Sequence, residues 1–394
     1  MRALFITHNI PRFDGDAAGS FVLRLAVALQ DQGHRIDVIA PGAAGLAERA
    51  TLEGVSIRRV RYASDAGMTL AYTGTMAEAV RETWSGRFAL LGLLRAMRRS
   101  VTEQLREARR AGDPYDVVHV HWWFPAGLAL WRAFDRGQPP IVLTMHGSDV
   151  RLARATLAAH PLMRAVLDQA SVRTVVSRWL AEAVARIAPN ARVSVAPMPV
   201  DIRHFGLGES VVPRDGILFV GRLNQQKGLA ALLDALAMPA LANATLDVVG
   251  DGPDAAALRA RAELLGVASR VRWHQVLVQA SLVPLYQRAA CVAMPSTEEG
   301  LGLVAVEAQL CGTPVVAYAS GGLPDVVRTD AGGSLVAAGD IAGLADSLAA
   351  LLKAPEDARH RGLLARDAML ASFSPTVVAS HYAAFYRQAV GDVT

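Results

Sequence analysis

Short runs of β-branched and other apolar residues alternate along the chain with longer stretches whose apolar positions recur every three or four residues. "RALFITH" opens the series, and a helical pattern from Ser20 to Gln32 follows it. "HRIDVIAP" and "VSIRRVRY" come next, then a long helical stretch over residues 88 to 111. "YDVVHVHW", "PIVLTMHG", "RTVVS" and "RVSVAPMP" follow, each separated from the next by a helical stretch. Strand-length apolar runs joined by helices predict a doubly wound, mainly parallel sheet.

A polar break, "DIRHFGLGESVVPRDG", interrupts this pattern. The alternation restarts with "ILFVGRL", "ATLDVVGDG", "VRWHQV", "CVAMPS" and "PVVAYASGG". With 394 residues the chain exceeds what one core usually holds. The expectation is an α/β protein of two Rossmann-like domains, residues 1–200 and 201–373. The last segment, "FSPTVVASHYAAFYRQAV", is amphipathic and carries Tyr382, Phe385 and Tyr386. It cannot extend the second sheet in a parallel manner, so residues 374–394 are expected to cross back and pack on the first domain.

Composition narrows the class. The chain is 52% hydrophobic and 19% charged, with a net charge of +4. No uncharged apolar run reaches the roughly 18 residues of a membrane span. The opening "MRALFITHNI" reads as a strand, too short and wrongly flanked for a secretory signal. The two cysteines, Cys291 and Cys311, lie in apolar surroundings, which argues against a disulfide framework and fits a reducing cytoplasm. No basic tail, zinc spacing or aromatic-interleaved basic strand points to nucleic acid. Of the 40 basic residues only Lys227 and Lys353 are lysine, so Lys227 stands out.

Open parallel sheets bind ligands beyond the carboxyl ends of their strands, and candidate chemistry collects there. After the first strand, Gly15 and Gly19 precede a helix amino terminus, a place that favours anions; an ordinary βα turn explains them equally well. The dinucleotide pattern G-x-G-x-x-G is absent, which counts against a nicotinamide or flavin enzyme. In "FVGRLNQQKG", Gly221 permits close backbone approach, and Arg222 with Lys227 suits a pyrophosphate; the alternative is two solvated cations. In "VVGDGPDAAAL", Pro253 can open the next helix at its first position.

"STEEGLGLVAVEAQLCGTPVV" is the densest stretch. Glu298 and Glu299 precede a turn whose Gly300, Leu301 and Gly302 amides can cradle a phosphate. Glu307 lies in the apolar helix that Leu303 begins. Burying a lone carboxylate is costly, so Glu307 needs a partner: ligand hydroxyls, or an arginine. Glu299 and Glu307 are about 12 Å apart along a helix axis, far enough to grip two ends of one elongated ligand. In the first domain His119, His121, His146 and Asp149 end strands. His119 and His121 alternate, so both face one side, and one of them is expected to be a satisfied core histidine. No pair has the spacing of a helical metal site.

Together these pieces resemble the retaining GT-B glycosyltransferases of family 4, also called group 1. "FDGDAAGSFVLRLAVALQDQGHRIDVIAPG" resembles the family's amino-terminal glycine loop and helix, and "TMHGSD" its central histidine motif. "FVGRLNQQKG", "VVGDGP" and "PSTEEGLGLVAVEAQLCGTPVVAYASGGLPDVV" resemble its donor site in order. The frame E-G-x-G-x-x-x-x-E followed by C-G-x-P-V-V and a glycine pair is the most specific element.

The resemblance implies two domains facing across a cleft. The donor is a nucleotide diphosphate sugar, UDP- or GDP-linked, and the sugar moves with retention to a sugar, lipid-linked or small-molecule hydroxyl acceptor. No metal or cofactor is implied. By position, Arg222 and Lys227 would bind the diphosphate, Glu307 the ribose hydroxyls and Glu299 the sugar. Gly15, Gly19, Gly221, Gly300, Leu301, Gly302 and Leu303 would line the donor. His146 would sit by the donor sugar and the acceptor, with His121 and Asp149 on the acceptor side. The implied mechanism is front-face attack, in which the leaving diphosphate takes the acceptor proton and the cations stabilise its charge.

Three positions depart from the pattern. Pro199 replaces a glycine in "PMPVD", Asp325 stands for a glutamate after the glycine pair, and Gln275 stands for a glycine near the base, which leaves the base open. A nucleotide-sugar epimerase and a phosphorylase share the fold, but two lysines leave little room for a pyridoxal phosphate lysine. Intact donor residues count against a non-catalytic partner of a transferase.

The stretch "RFALLGLLRAMRRSVTEQLREARR" places Leu90, Leu94, Met97, Val101 and Leu105 on one face and Arg95, Arg98, Arg99 and Arg106 on the other. A core-facing helix with a solvated basic side accounts for this. Weak contact with an anionic membrane at the cytoplasmic face is the sharper reading.

Overall fold

A computed structural model describes residues 1–16, 18–72, 76–133, 137–208 and 214–391. The chain forms two compact units: Met1–Pro199 together with the segment from Pro375 onward, and Val200–Ser374.

The first unit is built on eight strands: β1 (Arg2–Ile6), β2 (Arg35–Pro41), β3 (Arg49–Leu52), β4 (Val55–Val60), β5 (Val117–His121), β6 (Ile141–Met145), β7 (Val172–Val175) and β8 (Ser194–Val195). Their order is β3-β4-β2-β1-β5-β6-β7-β8, and all neighbours are parallel except β3 and β4. Strands β5 and β6 are buried along their full length because helices cover both sheet faces. The antiparallel β3 has no counterpart in the sequence expectations. It is a hairpin arm closed by Glu53 and Gly54, whose φ values of 47° and 80° make the positive-φ two-residue turn that matches strand twist.

The helix Ser20–Asp31 buries Val22, Leu25, Ala26 and Leu29. The long helix spans Trp84–Arg110, four residues earlier in start than the sequence pattern implied. It buries Leu93, Met97, Val101 and Leu105, while Leu90 and Leu94 stay partly exposed. The helix Pro375–Val390 closes this same unit. Tyr382 and Tyr386 are fully buried, the Tyr382 hydroxyl donates to the Ala196 carbonyl at 3.2 Å, and Gln32 Nε2 donates to the Thr376 carbonyl at 2.8 Å.

The second unit holds six parallel strands: β9 (Ile217–Val220), β10 (Leu246–Val249), β11 (Val271–His274), β12 (Cys291–Met294), β13 (Val315–Tyr318) and β14 (Ser334–Val336). The order β11-β10-β9-β12-β13-β14 reverses direction between β9 and β12. The short β14 was also absent from the sequence reading. In the first unit the corresponding reversal lies between β1 and β5. Ligands of open sheets sit beyond the carboxyl ends of the strands at such points. The core of the second unit joins Phe219, Leu233, Val248, Cys291 and Val316 with helix residues such as Leu344 and Leu348. Cys291 and Cys311 are both buried free thiols, and burial pushes each up to about 12.

Candidate functional site

The loop after β9 runs through Gly221, Arg222 and the short helical turn Gln225–Lys227 to the helix Leu229–Leu236. Asn224 caps that turn by accepting from the Lys227 amide at 3.2 Å. Gly228 has φ +72°, and a Cβ there would meet the Pro295 carbonyl oxygen at 2.0 Å, so the loop lies flat on the end of β12. Two hydrogen bonds stitch the loops after β9 and β12 together: Thr297 N–H donates to the Gln226 carbonyl at 2.9 Å, and Gln226 Nε2 to the Glu298 carbonyl at 2.6 Å.

This stitching brings Lys227 to Glu299. The ammonium Nζ lies 2.8 Å from both carboxylate oxygens, in a pair whose side chains are largely out of solvent. The aliphatic part of Lys227 runs over Gly221. The main chain of Glu299 is fixed from below: Gly322 N–H donates to its carbonyl at 2.8 Å, and a Cβ on Gly321 would come within 2.4 Å of that oxygen. The sequence suggested separate ligand contacts for Lys227 and Glu299; the structure joins them as one ion pair. Arg222 is exposed and forms no side-chain hydrogen bond or ion pair among the described residues.

Gly302, at φ +100°, starts the helix Leu303–Leu310 without a side-chain cap, and its carbonyl accepts from the Ala305 amide at 2.9 Å, which leaves the Leu303 and Val304 amides to an anion. Glu307 is buried in the second turn, and its Oε2 accepts from the Tyr286 hydroxyl at 3.0 Å. Burial and the Glu307 charge hold the Tyr286 hydroxyl well above its ordinary range. The helix is not otherwise apolar: buried Gln309 donates to the Ala305 and Val326 carbonyls. Pro253 does not open a helix; the helix begins at Ala255 with Asp254 before it. Two loops and one helix thus present two cations, uncapped amides and two carboxylates, which suits an elongated ligand with an anionic middle and hydroxyl-bearing ends.

The first unit gathers different groups. His121 Nδ1 and His146 Nε2 share a hydrogen bond of 3.1 Å. The ring of Trp122, which follows β5, lies 4.3 Å from His146 in a tilted contact and 4.3 Å from His8 edge to face. Phe21, two residues after the Gly19 that starts its helix, lies 5.0 Å from His146. His121 Nε2 and His8 Nδ1 are buried without a partner among the described residues. Burial lowers His121 to about 3 and His8 to about 4, and His146 falls well below the histidine range through burial and the neighbouring His121 and His8. The cluster is therefore neutral.

His119 is the satisfied core histidine: Nδ1 is 2.8 Å from the Tyr386 hydroxyl and Nε2 2.8 Å from Thr144 Oγ1. His146 keeps partial exposure. Two acceptor-side expectations need correction. His121 is fully buried, and its Nδ1 is taken up by the bond to His146. Asp149 is buried and already engaged: Oδ1 accepts from the His146 and Gly147 amides at 3.2 and 3.0 Å, and Oδ2 from Trp123 N–H at 3.1 Å. Burial raises Asp149 to about 6 despite these donors. Asp149 ties the end of β6 to the end of β5 and positions His146. Sequence reasoning missed His8, Phe21, Trp122 and Tyr286; the doubled tryptophan directly after β5, beside a sheet reversal, was the one available signal. Among the described residues no group of three or more histidine, cysteine or carboxylate side chains is arranged to hold a metal ion.

The profile of the family described as Glycosyl transferases group 1 matches residues 211–366, and that of Glycosyltransferase Family 4 matches residues 18–204. A D-inositol 3-phosphate glycosyltransferase of Mycobacterium avium is 33% identical, covering 96% of this chain and 91% of the relative. The enzyme of that name from Actinosynnema mirum is 32% identical over 86% of this chain and 85% of its own length. Among solved structures, sucrose-phosphate synthase from Thermosynechococcus elongatus superposes with a TM-score of 0.79 at 21% identity, covering both chains fully. HepE from Anabaena, solved in complex with UDP-glucose, gives 0.72 at 19% identity over 98% of this chain and 99% of its own. The fold is GT-B.

Proposed function

The chain belongs to the group 1 glycosyl transferases, and from that membership we propose that it moves a sugar from a nucleotide diphosphate donor to a hydroxyl acceptor with retention of configuration. The observation that carries the proposal is the Lys227–Glu299 pair, held at the β9/β12 reversal beside uncapped helix amides and followed by buried Glu307. In this reading the diphosphate lies against Lys227, Arg222 and the amides of Gly300 to Leu303. The ribose hydroxyls donate to Glu307, and Glu299 receives a hydroxyl of the sugar. The acceptor hydroxyl attacks the anomeric carbon from the side the diphosphate leaves. Its proton passes to the departing phosphate oxygen, and Lys227 and Arg222 stabilise the charge on that group.

The first unit takes the acceptor, with neutral His146 as its hydrogen-bonding group. A neighbour of this fold solved with UDP-glucose supports uridine as the base, and the relatives' name supports a phosphorylated cyclitol as one acceptor class to try.

The test is a panel of UDP- and GDP-sugars with D-inositol 3-phosphate and unphosphorylated sugar acceptors. Nucleoside diphosphate release and product mass are measured, with NMR of the new linkage. Release that needs acceptor, with an anomeric configuration matching the donor, is the expected result. Inverted product, or no release with any pair, would overturn the reading.

A further inference from the structure

The long helix Trp84–Arg110 turns a second face to solvent, and it is not polar. Trp84, Phe88 and Leu91 are 73%, 68% and 48% exposed, and their i, i+4, i+7 spacing stacks them on one stripe. The same stripe continues through exposed Arg95, Arg98 and Arg99. It has no acidic residue between Trp84 and Thr102. Nearby carboxylates are already matched: Glu82 pairs with Arg81, and Glu103 with Arg99. Arg87 adds a cation over the Trp84 ring at 4.7 Å. The opposite side of the helix is committed to the core through Leu93, Met97, Val101 and Leu105. No helix among the described residues is long and apolar enough to cross a membrane.

We propose that this stripe is a docking surface for an anionic lipid bilayer. Two aromatics and a leucine at the amino-terminal end enter the headgroup boundary, and Arg95 and Arg98, one to two turns on, meet lipid phosphates. The charge decides the occupant. A second copy of the chain would set these arginines against its own, and a neutral apolar partner would leave them unmatched. Aromatic rings beside guanidinium groups suit the interface between acyl chains and headgroups, where one side is apolar and the other wet and anionic. The proposal does not depend on the transfer chemistry, since none of these residues touches the groups assigned to it.

The full chain is mixed with vesicles of phosphatidylcholine alone and of phosphatidylcholine with phosphatidylglycerol, and bound protein is separated by flotation. Binding to the anionic vesicles that falls as salt rises is expected. Arg95→Gln with Arg98→Gln should weaken it about thirtyfold, and Trp84→Ser with Phe88→Ser about tenfold or more. All four sites are exposed, and an unchanged thermal melt with unchanged transfer by soluble substrates shows that the variants are folded. Equal binding to both vesicle types, binding untouched by either variant, or no binding overturns the proposal. So does a dimer in light scattering that Trp84→Ser with Phe88→Ser dissolves, which would assign the stripe to a second copy.

Discussion

The two units use the same device, a parallel sheet whose strand order reverses, to opposite electrostatic ends. At the β9/β12 reversal the second unit assembles charge: Lys227 bonded to both oxygens of Glu299, Arg222 exposed, Glu307 buried on Tyr286. Near the β1/β5 reversal the first unit assembles neutral rings, with His8, His121 and His146 gathered round Trp122 and the histidines held uncharged by burial. Charged groups suit a ligand whose own charge must be matched and, during reaction, increased. Neutral rings suit one read by shape and single hydrogen bonds. The division predicts that the second unit controls the chemical step and the first controls pH tolerance.

The largest effect should come from the ion pair. Lys227→Met and Glu299→Gln are each expected to lower kcat/KM by about 10²- to 10³-fold, the scale of losing one preorganised charge or donor at a reacting centre. Because either loss strands the other partner, the double variant should be little worse than the poorer single. Steady-state kinetics of the three variants check this. Losses that multiply would mean that the two residues act on the ligand independently, as the sequence alone suggested.

Acid should separate the units next. His121, at about 3 when folded against an ordinary 6.5, contributes stability that is present above 6.5 and lost as pH falls toward 3. Two pH units below 6.5 the loss from His121 alone is about 3 kcal/mol. His8, His119 and His146 are lowered too and add in the same direction. Asp149, raised to about 6, runs the other way: its contribution is full below 3.8 and disappears as pH rises through about 6. Four histidines outweigh one aspartate, so the first unit should loosen on acidification. Amide exchange across the pH range should show β5 and β6 losing protection before β9 and β12. Simultaneous loss in both sheets would break the contrast.

The same contrast explains what could be read from the chain. The second unit's site was legible because its parts are close in sequence: Arg222 and Lys227 share one loop, and Glu299 to Glu307 one turn and helix. Their types are also chemically telling, a rare lysine and a carboxylate in an apolar helix. The first unit's site is made by residues more than a hundred positions apart, so His8 carried no local mark and Trp122 only its place in a doubled tryptophan. Asp149 looked like chemistry, yet its three backbone donors come from loops whose meeting only the fold sets. Strand β3 was lost because Arg49–Leu52 is short and polar at an edge, although Glu53-Gly54 is a turn signal. In the long helix the periodicity found Met97, Val101 and Leu105. It placed Leu90 and Leu94 on the buried face ahead of Leu93, an error of about one residue that helix rotation permits.

Glu307 tests whether binding and chemistry divide within the second unit. If it accepts hydroxyl donors that are equally bound in ground and transition states, Glu307→Gln should raise KM for the donor about tenfold and leave kcat within about twofold. Initial rates over a donor titration decide it. A fall in kcat with KM unchanged would move Glu307 to the reacting centre.

The smallest effect belongs to Tyr286, which touches no ligand in this scheme. Its hydroxyl donates to Glu307 Oε2 from a fully buried position, so Tyr286→Phe removes one hydrogen bond from a buried carboxylate and leaves the ring packing intact. A bond to a charged group is worth about 1.5–3 kcal/mol, and part of that loss falls on folding, so donor KM should rise about fivefold. The discriminating measurement is the same substitution made beside Glu307→Gln. If Tyr286 works by orienting the carboxylate, its effect on KM shrinks toward none once the carboxylate is gone, while its effect on the melting temperature persists. An equal KM effect in both backgrounds would make Tyr286 a packing residue whose hydroxyl is incidental. Glu307 would then need no second protein group to hold its oxygens in place.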